Sequence, residues 1–386
     1  MRRFLLTLAL GAGTAAGLRA EVPPPLDTAL RTLNAVGPEG RDSESAPAAW
    51  KVVSKSKPEH LGAILAAFDA ATPVGANYLR SAVDALVEKA KADKAKLPVE
   101  ELVAFAKETK HNGTARKLAH GLLEDADPAT YKSLIPTFLN DPQPDLRRLA
   151  VESALAEAKP LKGDSAIAAY KAALKAARDE DQVGEIAKAL KDLGTPIDLT
   201  KHFNFITEWH ISPPFDNKDE AGFAKVYDPE SKADRTGWTY ARAAAGGTVD
   251  LNKAVAKKKE LVAYASATIV VEADLDCEVR ASTQNAIKIF VNGKEVYFRE
   301  EYHHGQYLDQ HNAKVTLKKG KNEILLKICQ NALAQSWSEP WGFVCQLSDR
   351  TGAAVAVKQS IAKDGKDQLV DLGAIAPASE PKKEGK

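Results

Sequence analysis

The stretch Ala286-Ile-Lys-Ile-Phe-Val-Asn-Gly-Lys-Glu-Val296 leaves the chain few choices of conformation. Apolar residues alternate on both sides of Asn292-Gly293. Asn and Gly tolerate positive φ, so the pair closes a tight type I′ turn between two strands. Val315-Thr-Leu-Lys-Lys-Gly-Lys-Asn-Glu-Ile-Leu-Leu-Lys-Ile328 repeats the arrangement around Gly320. Upstream, Leu261 to Glu272 reads as a long strand. Leu275, Cys277 and Val279 then alternate with charged residues, which gives one dry face and one wet face. Together with Phe203–Ile211 and Gly342–Leu347, the pattern predicts a sandwich of about eight or nine short antiparallel strands.

Aromatic residues divide the chain. Of 25 Phe, Trp and Tyr, 17 lie between Phe203 and Phe343. The earlier region is rich in Ala, Leu, Lys and Glu, which favour helix. Leu61–Phe68 and Val99–Ala106 carry apolar residues at helical spacing. The last helix should stop at Gly194-Thr195-Pro196. The fold class is therefore multidomain, α then β: a helical region followed by an antiparallel β-sandwich. The expected organisation is a signal peptide at 1–20, a helical region at 21–195, a sandwich at 201–371 and a disordered tail at 376–386.

Arg2-Arg3, the apolar run Phe4–Gly17 and Ala20 have the layout of an export signal, so a periplasmic or extracellular location is expected. Without it the chain has 50 basic and 52 acidic side chains. That balance supplies no footprint for nucleic acid, and no later segment is apolar enough to span a bilayer. The three cysteines are Cys277, Cys329 and Cys345. Two readings stand: a Cys329–Cys345 disulfide in an exported chain, or three small buried thiols.

Two resemblances follow from these residues. Arg80, Arg116, Arg147 and Gly184 recur with a small residue three positions on, and Asp141-Pro142-Gln143-Pro144-Asp145-Leu146-Arg147-Arg148-Leu149-Ala150-Val151 resembles the turn and second helix of a HEAT-like repeat. The resemblance implies solvated arginines and a face suited to protein partners. The second lies in Trp209-His-Ile-Ser-Pro-Pro-Phe-Asp-Asn217, Gly222-Phe223, Tyr227-Asp-Pro-Glu230, Ile287–Lys294 and Leu317–Asn322. These resemble a galactose-binding-like jelly-roll module of exported planctomycete-type proteins. That implies a jelly roll, and carbohydrate only by analogy. Related modules often carry Asp-Asp-Gly before the Ile-Lys hairpin; Gln284-Asn285-Ala286 stands here instead.

Sugar sites on sandwiches pair aromatic faces with short polar side chains. The loop Gln330–Trp341 offers Asn331, Trp337 and Trp341, and a second loop offers Asp216, Asn217 and Asp219. These six are the candidate ligand-binding residues. Trp337 sits between serines; Gly342-Phe343 after Trp341 argues for a core plug. Asp216, Asn217 and Asp219 also carry oxygens of the kind Ca²⁺ needs. His303, His304 and His311 share a loop with Asp309, but their spacing matches no metal template, so no metal or cofactor is assigned. No nucleophile motif, phosphate loop or Cys-x-x-Cys occurs. The sequence thus favours a non-catalytic glycan-binding protein with a helical protein-interaction scaffold. A structural adaptor of the cell envelope that binds protein alone, and a diverged hydrolase, are the alternatives.

Overall fold

The computed structural model describes residues 21–363 and 366–372. The expected signal peptide and the tail at 376–386 lie outside the described residues. The chain divides into two compact units between Ala150 and Val151.

The first unit is helical. Its helices start where short polar side chains satisfy the first backbone N–H groups. Thr72 accepts from Gly75 at 2.9 Å and opens the helix Pro73–Ala92. Asn112 accepts from Thr114 and Ala115 and opens Gly113–Ala126. Leu33, Leu61, Ile64, Leu65 and Phe68 pack into its core. The arginines correct one expectation. Arg80 is exposed and ion-paired with Asp84, but Arg116 and Arg147 are buried. Arg116 grips Asp141 through both terminal nitrogens, at 2.8 and 2.6 Å, and also donates to Ala106 O. Arg147 donates to Asp141 O at 2.8 Å. The guanidinium fork matches carboxylate and carbonyl together, and that match permits burial.

The second unit holds the strands. They are β1 (Glu208–Ile211), β2 (Phe215–Asp216), β3 (Thr239–Arg242), β4 (Val249–Asp250), β5 (Leu261–Val271), β6 (Leu275–Ser282), β7 (Ala286–Val291), β8 (Lys294–Arg299), β9 (His311–Leu317), β10 (Gly320–Gln330), β11 (Gly342–Ser348), β12 (Lys358–Lys363) and β13 (Lys366–Asp371). The larger sheet runs β13-β12-β5-β10-β7-β8, and the smaller runs β4-β11-β6-β9. One edge of β5 pairs along its whole length with β10; the other is shared by β12, β1 and β2. The Asn292-Gly293 turn joins β7 to β8 with φ of 51° and 77°, as a type I′ hairpin requires. Phe203 departs from the expected strand. It ends a short helix, Leu199–Phe203, capped by Asp198, and Asn204 follows at φ 60° with its amide on Leu347 O and Val355 O.

Period-two alternation sorts side chains between two cores. Ile324, Leu326 and Ile328 of β10 face Val279, Phe343, Cys345 and Leu347 across the sandwich. Trp209 and Trp341 are buried there, with the Trp209 and Phe343 rings edge to face at 4.9 Å. Leu325 and Cys329 point the other way, into a cluster with Phe223, Tyr264 and Phe290. Cys329 and Cys345 therefore belong to different cores, and all three cysteines are free. This corrects the disulfide reading. Burial pushes the Cys329 thiol up to about 12.

The two helices Gly163–Ala176 and Glu180–Asp192 fall in the strand-bearing unit, so the units part earlier than the change from helix to strand. Composition reports which residues favour helix, not which surface the helix packs on.

Candidate binding site at the loop rim

Four loops meet at one end of the sandwich. Asn331, just after β10, joins three of them. Its Nδ2 donates to Glu220 Oε1 at 2.9 Å, and its Oδ1 lies 2.5 Å from His303 Nε2. Its carbonyl accepts from Glu260 N–H. Asp219, Glu220, Glu260 and Asn331 border a depression of about 500 Å³. Asp219, Glu220, Glu260 and His303 all have φ between 54° and 62°. Left-handed backbone in non-glycine residues costs of order 1–3 kcal/mol each and tends to gather at functional sites.

The loop leaving Asn331 folds over a buried hydroxyl. Ser338 Oγ lies 2.8 Å from Leu333 O and 2.9 Å from Gln335 O, and accepts from Gln335 N–H. Lys259 Nζ donates to Ser338 O at 2.8 Å. This buckle forms the short turn Ser336–Ser338 and leaves Trp337 57% exposed. The indole meets His303 edge-on at 5.6 Å. Beyond it a second depression, of about 540 Å³, is bordered by Asp250, Asn252, Gln284, Asn285, Glu339 and Trp341. One loop thus carries an exposed indole and lines two polar hollows.

The expected site residues separate into three groups. Asp219 and Asn331 share the first hollow, and Trp337 is linked to them through His303. Asp216 is exposed, and its backbone carbonyl accepts from the Tyr227 hydroxyl. Asn217 is wholly buried, with Nδ2 on Gln330 O at 2.9 Å and on the Tyr302 hydroxyl at 3.3 Å. It is a clamp between loops, which corrects its assignment as a ligand contact and as part of a Ca²⁺ oxygen set. Trp341 is only 1% exposed, so its ring cannot serve as a stacking face. Among the described residues no group of three or more His, Cys, Asp and Glu is disposed to hold a metal ion.

His304, on the neighbouring loop, and His311, the first residue of β9, sit edge to face at 5.5 Å. Burial, then the charge of His304, lowers His311 to about 4. At neutral pH it is an uncharged ring beside the Tyr297 hydroxyl, 3.1 Å away.

A further polar centre escaped the sequence reading. On the outer face of the larger sheet, Lys327 is fully buried. Its ammonium donates to Phe223 O, Lys225 O and Glu230 Oε1 at 2.9, 2.7 and 2.8 Å. Tyr264 donates its hydroxyl to the same Glu230 oxygen. Burial first, then that hydrogen bond, pushes the Tyr264 phenol far above its usual range. Arg235 holds both oxygens of Glu323, at 2.9 and 3.1 Å. These bonds fasten the segment 212–238 over the sheet. The signal was a lone Lys in the apolar run Ile-Leu-Leu-Lys327-Ile, where a buried charge requires a partner.

No family model matches the chain, and no curated protein matches it. Solved structures similar to it include a β-glucosidase from Kluyveromyces marxianus in complex with glucose, at 12% identity over 42% of this chain and 21% of that one, with a TM-score of 0.25. The PA14 domain of the MpAFP antifreeze protein is 13% identical over 31% and 52% of the two chains, with a TM-score of 0.18. An anti-sigma factor domain-containing protein from Clostridium clariflavum is 14% identical over 47% and 50%, with a TM-score of 0.22. The chain spans about a fifth of the length of the β-glucosidase and about half of the other two. At these TM-scores the likenesses say nothing about the site, which rests on its own residues.

Proposed function

We propose that this chain is an exported, non-catalytic binding protein whose sandwich recognises carbohydrate at its loop rim. One observation carries the reading: Trp337 is more than half exposed, on a loop pinned by buried Ser338, between two hollows lined with carboxylates and amides. An exposed indole held in place stacks on the apolar face of a pyranose, and short polar side chains take up its hydroxyls. The helical unit is the proposed scaffold for protein contacts. Thermal-shift screening of the full chain against a glycan panel tests the proposal, because a ligand that binds only the native state raises the melting temperature. A saccharide-dependent rise that disappears in Trp337→Ala is the expected result. A flat response from folded protein across neutral and acidic glycans would overturn it.

The adaptor reading has its own observation. Tyr307, 70% exposed, borders a cleft of about 520 Å³ with Phe203, Phe205, Leu199 and Val183. Exposed aromatic and aliphatic surface of this kind suits a protein partner. Retention of one stoichiometric envelope protein by wild type but not by Tyr307→Ala would favour it.

A further inference from the structure

The helical unit carries a cleft whose charges do not balance. Its volume is about 460 Å³, and the turn Pro58–His60 and the loop after the helix Pro73–Ala92 contribute to its walls. Lys55, Lys57, Lys89 and Lys96 border it, against two carboxylates, Glu59 and Asp93. Lys57 pairs with Glu59 at 3.5 Å, and Lys89 with Asp93 at 2.6 Å. Lys55 and Lys96 are exposed and have no carboxylate partner among the described residues. Part of the charge has a use inside the fold. Lys55 follows the helix Ala46–Ser54 as its cap, and Lys89 lies in the last turn of Pro73–Ala92, where a lysine offsets the negative helix end. A helix end carries only about half a charge, and its effect fades beyond the last turn. Lys96 lies past that turn, in the loop before the helix Val99–Lys107. Positive charge is therefore left over at the opening.

The rest of the lining is apolar. Pro58, Leu97 and Pro98 are half-buried there, so each keeps surface that an occupant can cover. None of the residues that border the cleft is aromatic, and a sugar ring finds no stacking face. A uronate chain would meet the lysines but leave the apolar wall uncovered. A carboxylate beside an aliphatic side chain meets both, through a charge-assisted hydrogen bond and through the removal of apolar surface from water. That pairing is found in protein segments that carry Asp or Glu next to Leu, Ile or Val.

We infer that this cleft binds a segment of a partner protein in which carboxylates flank an aliphatic side chain. The acids join Lys55 and Lys96, and the aliphatic group lies against Pro58, Leu97 and Pro98. This rests on the reading of the helical unit as a scaffold for protein contacts and gives that partner its chemistry. It is independent of the loop rim.

The test is calorimetric titration of the full chain with capped hexapeptides at low salt. The probes are Glu-Asp-Leu-Leu-Asp-Glu, its neutral form Gln-Asn-Leu-Leu-Asn-Gln, its form without leucine Glu-Asp-Ser-Ser-Asp-Glu, and Lys-Lys-Leu-Leu-Lys-Lys; hexagalacturonate is titrated beside them. The acidic leucine peptide binds wild type most tightly, and its binding weakens as salt is raised, because exposed charges are screened. Lys96→Gln weakens it about 2- to 5-fold, as expected for one exposed ion pair. Lys55→Glu combined with Lys96→Glu weakens it about 10-fold or more and gains affinity for the lysine peptide, with the melting temperature unmoved. Equal binding of the acidic and neutral leucine peptides, untouched by charge reversal, overturns the inference and leaves the scaffold reading standing. Charge reversal that lowers the melting temperature and spares affinity also overturns it, since the lysines then serve the helix ends alone. Tighter binding of hexagalacturonate than of the acidic leucine peptide overturns the partner class. Binding of none of the five probes overturns the inference and the scaffold reading together.

Discussion

Around Lys327, three acceptors enclose one buried ammonium; at the loop rim, Asn331 bridges Glu220 and His303 while Trp337 stands more than half exposed. Both centres belong to the same sandwich. The first uses its hydrogen bonds to fasten the segment 212–238, and the second uses them to hold loops together beside an exposed ring. The contrast gives structural roles to much of the stretch that resembles a galactose-binding-like module. Ser212 accepts from Tyr264 N–H, Asn217 joins two loops, and Glu230 neutralises Lys327. At Gly222 a Cβ would come within 2.5 Å of Asp216 O. These residues close the fold.

The comparison breaks most readily at Glu230. Its replacement by Ala strands a buried ammonium and should cost about 3–5 kcal/mol of unfolding free energy in urea. A loss below about 1 kcal/mol would mean that the outer face is no clamp. Acid should come next. His311 falls from an ordinary value near 6.5 to about 4 in the native state, so the unfolded chain binds the proton more readily. Stability from this group is complete above the unfolded pKa and drains as pH drops from about 6.5 to 4, by roughly 3 kcal/mol at most. His202, lowered to about 4 by burial and then by the charge of Arg178, adds a similar slope. His311→Gln should therefore flatten only part of the stability–pH curve, and an unchanged curve would contradict the burial of this ring.

The rim should respond in affinity rather than stability. Trp337→Ala is expected to lower saccharide affinity about 10-fold or more, by loss of about 1–3 kcal/mol of stacking, with the melting temperature nearly unchanged. Ser338→Ala sharpens this. It removes the buckle and should cost about 1 kcal/mol of stability together with a few-fold loss of affinity. Equal affinities for Ser338→Ala and wild type would show that the indole needs no support. The smallest effect expected is from reductant. Dithiothreitol should leave the melting curve of wild type and of Cys345→Ser unmoved relative to their oxidised controls, because Cys329 and Cys345 face different cores.

Local pattern carried much of this. The hairpin at Asn292-Gly293, the alternation along β10 and the helical first half were legible because each depends on residues close in sequence. What could not be read was pairing at a distance. Asn331 meets Glu220, and Lys327 meets Glu230, through contacts that alternation along one strand does not encode. Arg116 and Arg147 look like solvated surface until Asp141 is seen between them. At the rim, Trp337 and Trp341 differ by four positions, yet the first is more than half exposed and the second is buried. The turn stapled by Ser338 separates them, and no periodicity announces it.

The tiling of β5 also sets a timetable. Ile269 pairs with Asn322 on one side and with Gln359 on the other, so the Thr268–Val270 end of the central strand lacks its second neighbour until β12 has arrived. Pairings so far apart in the chain are slow to find, whereas the capped helices of the first unit draw on near neighbours. As the chain emerges from its amino end, the helical unit is able to fold early and the sandwich must wait. During that interval one edge of β5 at Thr268–Val270 is open to water, and the hairpin of β12 and β13 is the latch that closes it.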